Sequence, residues 1–222
     1  MLVTLEYLKK ETISLASVVE QYFIERQSPS QIKQRQKDLY HIHKSCLKYL
    51  INESLPKKRN IRFVNAVINI TRSLIKIYQV TDKIKLANSQ SEVFRVELYE
   101  LKKETSKKIQ NSIDSFSYLD ESMALKAYAL RSKLHSQLEL IEKNITHDLL
   151  EDPSLALDGL KAIKRIYYLK QIDEEVNEII ENVLYIDKRL SPSWEKEAKV
   201  TKVNMLDFIH TEKMMSTGDY HE

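Results

Sequence analysis

Two sets of side chains in this sequence have the type and spacing to hold a metal ion. Asp173, Glu174, Glu175 and Glu178 form its densest acidic cluster, and carboxylates at 174 and 178, four apart, share one face of a helix. A hard cation would still need a third oxygen from a facing helix. The plainer reading is a solvated face, with Lys170 standing four residues before Glu174 as its ion-pair partner. The second set is His41, His43 and Cys46. His43 and Cys46 could chelate zinc from one helix face, but His41 and His43 lie about 200° apart around a helix and cannot share a site. A free cysteine is among the most buried residue types, so Cys46 is expected in the core.

Other chemistries lack their residues. No glycine-flanked serine elbow and no phosphate-cradling loop occur, so no catalytic or cofactor-binding residues are assigned and an enzyme is not expected. Cys46 is the only cysteine, which excludes an intramolecular disulfide and any two-cysteine motif. The 35 basic and 32 acidic residues nearly cancel, leaving no nucleic-acid footprint. The nearest approach to one, Lys57, Lys58, Arg59 and Arg62, falls at a turn and reads as solvated. No apolar run approaches the ~20 residues needed to cross a bilayer. Met1 is followed by an amphipathic stretch instead of a signal peptide, and a cytoplasmic location is expected.

The elements that must position these residues are helices. Only two glycines and four prolines occur in 222 residues, which leaves almost no turns for hairpins. Apolar residues at helical spacing predict six long helices: about Met1 to Arg26, Gln31 to Glu53, Asn60 to Asn88, Ser91 to Phe116, a fifth ending near Leu150 and a sixth ending near Leu190. Pro29, Pro56, Pro153 and Pro192 mark the breaks. After Ser191 and Pro192, the residues Trp194, Val200, Val203, Leu206 and Ile209 predict a C-terminal helix with a narrow apolar stripe. Residues after Met215 read as disordered.

The halves repeat. A shift of 95 residues carries Leu39 to Leu134, Cys46 to Ile141, Leu74 to Leu169, Ile77 to Ile172 and Ile84 to Ile179, and it brings the turn at Pro56 within two positions of the turn at Pro153. One offset that aligns helices and turn together predicts an all-α chain of two tandem antiparallel three-helix bundles, at residues 1–89 and 90–190, with the C-terminal helix and tail at 191–222.

Two tandem three-helix bundles resemble the PhoU family. The nearest local likeness is Arg72-Ser73-Leu74-Ile75-Lys76-Ile77-Tyr78-Gln79-Val80-Thr81-Asp82-Lys83-Ile84 and its repeat from Tyr167 to Ile179. In that family the same stretch carries acids in an E/D-x-x-x-D pattern that binds metal clusters. By the resemblance those acids fall on Ser73, Ile75 and Gln79 in the first repeat and on Tyr168, Lys170 and Glu174 in the second, so only Glu174 keeps a carboxylate. No metal is expected, with Glu174 and Glu178 as the weak candidates. Tyr167 and Tyr168 are candidates to fill the space that ligands would take.

The resemblance implies a non-enzymatic regulatory domain of phosphate transport that works by protein–protein interaction, either free-standing or as the soluble part of a sodium-phosphate cotransporter. Its implied partners are a phosphate transporter or its membrane domain, a signalling protein, or a second copy of the chain. That would place it in the cytoplasm at the inner face of the membrane. The alternatives are a helical oligomerising scaffold unrelated to phosphate, and a metal-dependent enzyme built on the Glu174 cluster.

Overall fold

The computed structural model describes residues 3–25, 30–86 and 93–186, without the side chains of Leu86 and Arg131. The predicted C-terminal helix and tail lie outside the described residues. Seven α-helices occur among the described residues: α1 (Leu5–Ile24), α2 (Ile32–Asn52), α3 (Lys58–Leu86), α4 (Arg95–Tyr118), α5 (Glu121–Ala129), α6 (Arg131–Glu151) and α7 (Ala156–Ile186). A 3-10 turn, Pro153–Leu155, joins α6 to α7. The fold is all-α, as the residue pattern predicts.

Local chemistry sets several boundaries. Thr4 caps α1 by accepting from the Tyr7 amide, and Asp120 caps α5 through the Met123 amide. Asp152 stops α6 and accepts from both the amide and the hydroxyl of Ser154, which start the next turn. At the end of α4, Leu119 adopts the left-handed conformation with φ 49°. Its amide and that of Asp120 close back on Phe116 and Ser115, satisfying carbonyls of the last turn.

One predicted helix is two. The fifth breaks at Leu130, which ends α5 and begins α6 with ψ near −3°. No proline or glycine forces this bend. Packing does: Ala124 and Ala127 are small enough to let α5 lie close against α4 and α7, whereas α6 buries the larger Leu134, Leu138 and Ile145. Leu130, which the residue pattern places in an apolar stripe, is half exposed.

α1, α2 and α3 pack on one another, as do α4, α6 and α7 with α5 wedged beside them. The most extensive contact joins the two groups along α3 and α7, with α1 against α4 beside it. Of the predicted equivalences, Leu74, Ile77 and Ile172 are fully buried and Leu169 nearly so, while Leu39, Ile84 and Ile141 are partly buried against the core. The first helix of each group matches as well, at a shift of 93 residues. Thr12 and Thr105 are both fully buried, and each hydroxyl donates to the carbonyl one turn earlier, Leu8 or Leu101, at 2.8 Å.

Candidate functional site on the paired helices α3 and α7

The two longest helices meet antiparallel. Asn69 donates to Asn182 at 3.2 Å and Lys76 reaches Glu175 at 2.9 Å, so seven residues forward along α3 are seven back along α7. At the end of this contact the Arg62 guanidinium donates to the Ile186 carbonyl at 3.1 Å. Asn182 is fully buried and also donates to the Glu178 carbonyl, so its amide is held by its own helix and by α3 at once. Lys76 is 62% exposed, and its ion pair is correspondingly weak.

Behind this contact each group holds buried polar side chains. In the first, Tyr22 of α1 stacks on Tyr78 of α3, ring centroids 4.1 Å apart, and its hydroxyl donates to Asp82 at 2.6 Å. Burial, reinforced by the Asp82 carboxylate, raises the Tyr22 pKa. The Lys85 ammonium sits 3.5 Å over the Tyr22 ring, and burial, then the neighbouring Lys102, pulls its pKa down. In the second group Lys108 of α4 binds Asp173 of α7 at 2.5 Å, and both side chains are more than nine-tenths buried.

The residues singled out in the sequence take different places. Ser73 and Ile75 are buried in α3, while Gln79 and Tyr168 are half-buried. Tyr167 is 54% exposed, so of the two tyrosines only Tyr168 packs against the core. Lys170 is bound to Glu142 of α6. Glu174 is exposed and Glu178 half-buried. His43 is buried against α3, with Nε2 3.0 Å from the Thr71 hydroxyl, and burial lowers its pKa to about 4. His41 faces outward and meets the Tyr7 hydroxyl at 2.9 Å. Cys46 is fully buried, which pushes its thiol up to about 12. Among the described residues, the one group of three metal-type side chains within reach of a common point is His147, Asp148 and Glu151, all exposed at the end of α6.

No family model matches the chain. It is 22% identical over 204 residues to the phosphate-specific transport system accessory protein PhoU of Edwardsiella tarda, covering 83% of each chain. It is 24% identical over 152 residues to the protein of the same name from Serratia marcescens, covering 66% of this chain and 62% of the relative. The crystal structure of PhoU from Pseudomonas aeruginosa superposes with a TM-score of 0.70 at 17% identity, over 84% of this chain and 94% of that one. The phosphate transport system regulatory protein PhoU from Streptococcus pneumoniae gives 0.73 at 15% identity, over 83% and 95%. The chain is PhoU-like in fold and in sequence.

Within this PhoU-like frame the buried polar pairs are what residue reasoning misses. Lys108 had a visible signal: with Thr105 and Ser112 it occupies positions that the α4 stripe of Leu101, Ile109, Ile113 and Phe116 turns inward. Tyr22 falls in the buried stripe of α1 with Leu8, Leu15, Val19 and Phe23, and nothing in its spacing distinguishes a tyrosine hydrogen-bonded to Asp82 sixty residues on. No helix among the described residues of the PhoU-like chain is long and apolar enough to cross a membrane.

Proposed function

We propose that the chain is a non-enzymatic regulator of phosphate transport that acts by contact with other proteins. The observation that carries this reading is that its helices match nearly the whole of two PhoU crystal structures with TM-scores of 0.70 and 0.73. The relatives named as accessory proteins of a phosphate-specific transport system supply the process. They also favour a free-standing accessory protein over the soluble part of a sodium-phosphate cotransporter. In this reading two bundles, expected at 1–89 and 90–190, present helix surfaces to a transporter in the cytoplasm at the inner membrane face.

Metal chemistry is not part of the proposal. Hard cations need several oxygens converging on one point. Of the six positions, Ile75 offers none, Lys170 offers a cation already bound to Glu142, and Glu174 points to solvent. This donor set does not fit a metal cluster. The test is cross-linking of the full chain in membranes of its host, followed by identification of the partners. A phosphate transporter component among the principal adducts supports the proposal. Adducts of the chain with itself alone favour the oligomerising scaffold and overturn it.

A further inference from the structure

Each half has an open cleft between its first helix and the helix that follows. In the first half the cleft between α1 and α2 has a volume of about 220 Å³ and is lined by Glu11, Ser14, Leu15, Arg35, Asp38 and His41, among others. In the second half the cleft between α4 and the α5–α6 segment, about 130 Å³, is lined by Glu104, Lys107, Lys108, Asn111, Lys133 and Gln137, with apolar walls. These are the same place in the repeat. The shift of 93 that carries Thr12 to Thr105 carries Glu11 to Glu104, Ser14 to Lys107 and Leu15 to Lys108, and the shift of 95 carries Asp38 to Lys133 and Ile42 to Gln137.

The groove recurs, but its charge does not. In the first cleft Arg35 is bound to Asp38 at 2.8 Å and Glu11 lies beside them, which leaves no excess of positive charge. In the second, lysines stand where the first has a serine, a leucine and an aspartate, and Leu130 stands where it has Arg35. Lys108 forms the floor, its charge balanced from below by Asp173. Lys107 and Lys133 are both exposed, Glu104 is the one acid beside them in the described lining, and the Asn111 and Gln137 amides add uncharged donors. Ammonium groups and amides that line one concave space favour a compact ligand with several acceptor oxygens and negative charge.

We infer that the cleft between α4 and α6 binds a phosphoryl dianion, with Lys107 and Lys133 holding its oxygens over the Lys108–Asp173 pair. Inorganic phosphate and the phosphoryl end of a small phosphomonoester share this chemistry, and the open mouth admits either. The inference stands on the cleft alone. Its failure would leave the proposed role in phosphate transport to the cross-linking result.

The test is calorimetric titration of the full chain with inorganic phosphate and, in a second arm, with glycerol 3-phosphate. Saturable binding is expected in at least one arm, and the tighter arm identifies the source of the phosphoryl group. Each charge-assisted contact is worth enough that Lys107→Gln combined with Lys133→Gln should weaken binding by at least about tenfold. Both side chains are exposed, so the variant should fold, which a circular dichroism melt checks. Arg35→Gln in the equivalent cleft should leave the affinity unchanged. No saturation in either arm up to about 10 mM, or equal affinity in the double variant, overturns the inference.

Discussion

Tyr78 and Asp173 stand 95 residues apart at equivalent points of the repeat, one residue beyond the fully buried Ile77 and Ile172. Around Tyr78 the first half builds an aromatic stack with Tyr22, whose hydroxyl binds Asp82. Around Asp173 the second half builds an ion pair with Lys108, which takes the place of Leu15. The apolar skeleton is shared and the polar filling is not. A repeated bundle therefore needs its isoleucines and leucines in register, while the sites between them accept any polar group that brings its own partner.

The largest expected effect comes from breaking the second filling. Lys108→Ala leaves Asp173 as a buried, uncompensated charge and should cost about 3–5 kcal/mol in urea unfolding. Lys108→Met combined with Asp173→Leu should recover most of that loss, because it removes both charges and keeps volume. A double variant as unstable as the single would show that the second half depends on the ion pair itself.

The shared skeleton should respond equally in both halves. Ile77→Ala and Ile172→Ala, each at a fully buried site, should each destabilise by about 2–4 kcal/mol. A cost near zero at one of them would mean that the halves do not share a register.

A smaller, pH-dependent effect distinguishes the second helices. His43 is buried with its pKa lowered to about 4 from an ordinary 6.5, and the position equivalent to it by the 95-residue shift is the fully buried Leu138. Below pH 6.5 the unfolded chain takes up a proton that folded His43 refuses. Its contribution to stability is thus fully present above about pH 6.5 and is lost as the pH falls toward 4, by roughly 2–3 kcal/mol. His43→Leu, which copies the second half, should remove that part of the pH dependence. Thr71 would not be stranded, since its hydroxyl already donates to the Val67 and Ile68 carbonyls. The smallest effect is expected for Lys76→Ala, where loss of an exposed ion pair should cost under about 1 kcal/mol.

Periodicity made the architecture legible because each helix buries one stripe, and stripes such as Leu74, Ile77 and Ile84 can be read without knowing what they face. The break at Leu130 was not legible. It arises from how closely Ala124 and Ala127 let α5 approach α4 and α7, which is a property of the neighbours and not of the segment. The motif positions and their replacements are legible through Leu74 and Leu169, but the surroundings of those replacements are not: Ile75 lies inside α3, and Lys170 binds Glu142. Lys108 and Asp173 were invisible as a pair because sixty-five residues separate them, and Asp173 looked like one more acid in an exposed cluster.

The proposed role in phosphate transport is read by uptake of labelled phosphate in host cells with and without the chain. Uptake should change when the chain is removed and return when it is restored. Ser73→Ala and Glu174→Gln, at two of the positions equivalent to metal ligands, should restore it as well as the parent does. Uptake that is the same with and without the chain would mean that the bundle has no part in phosphate transport.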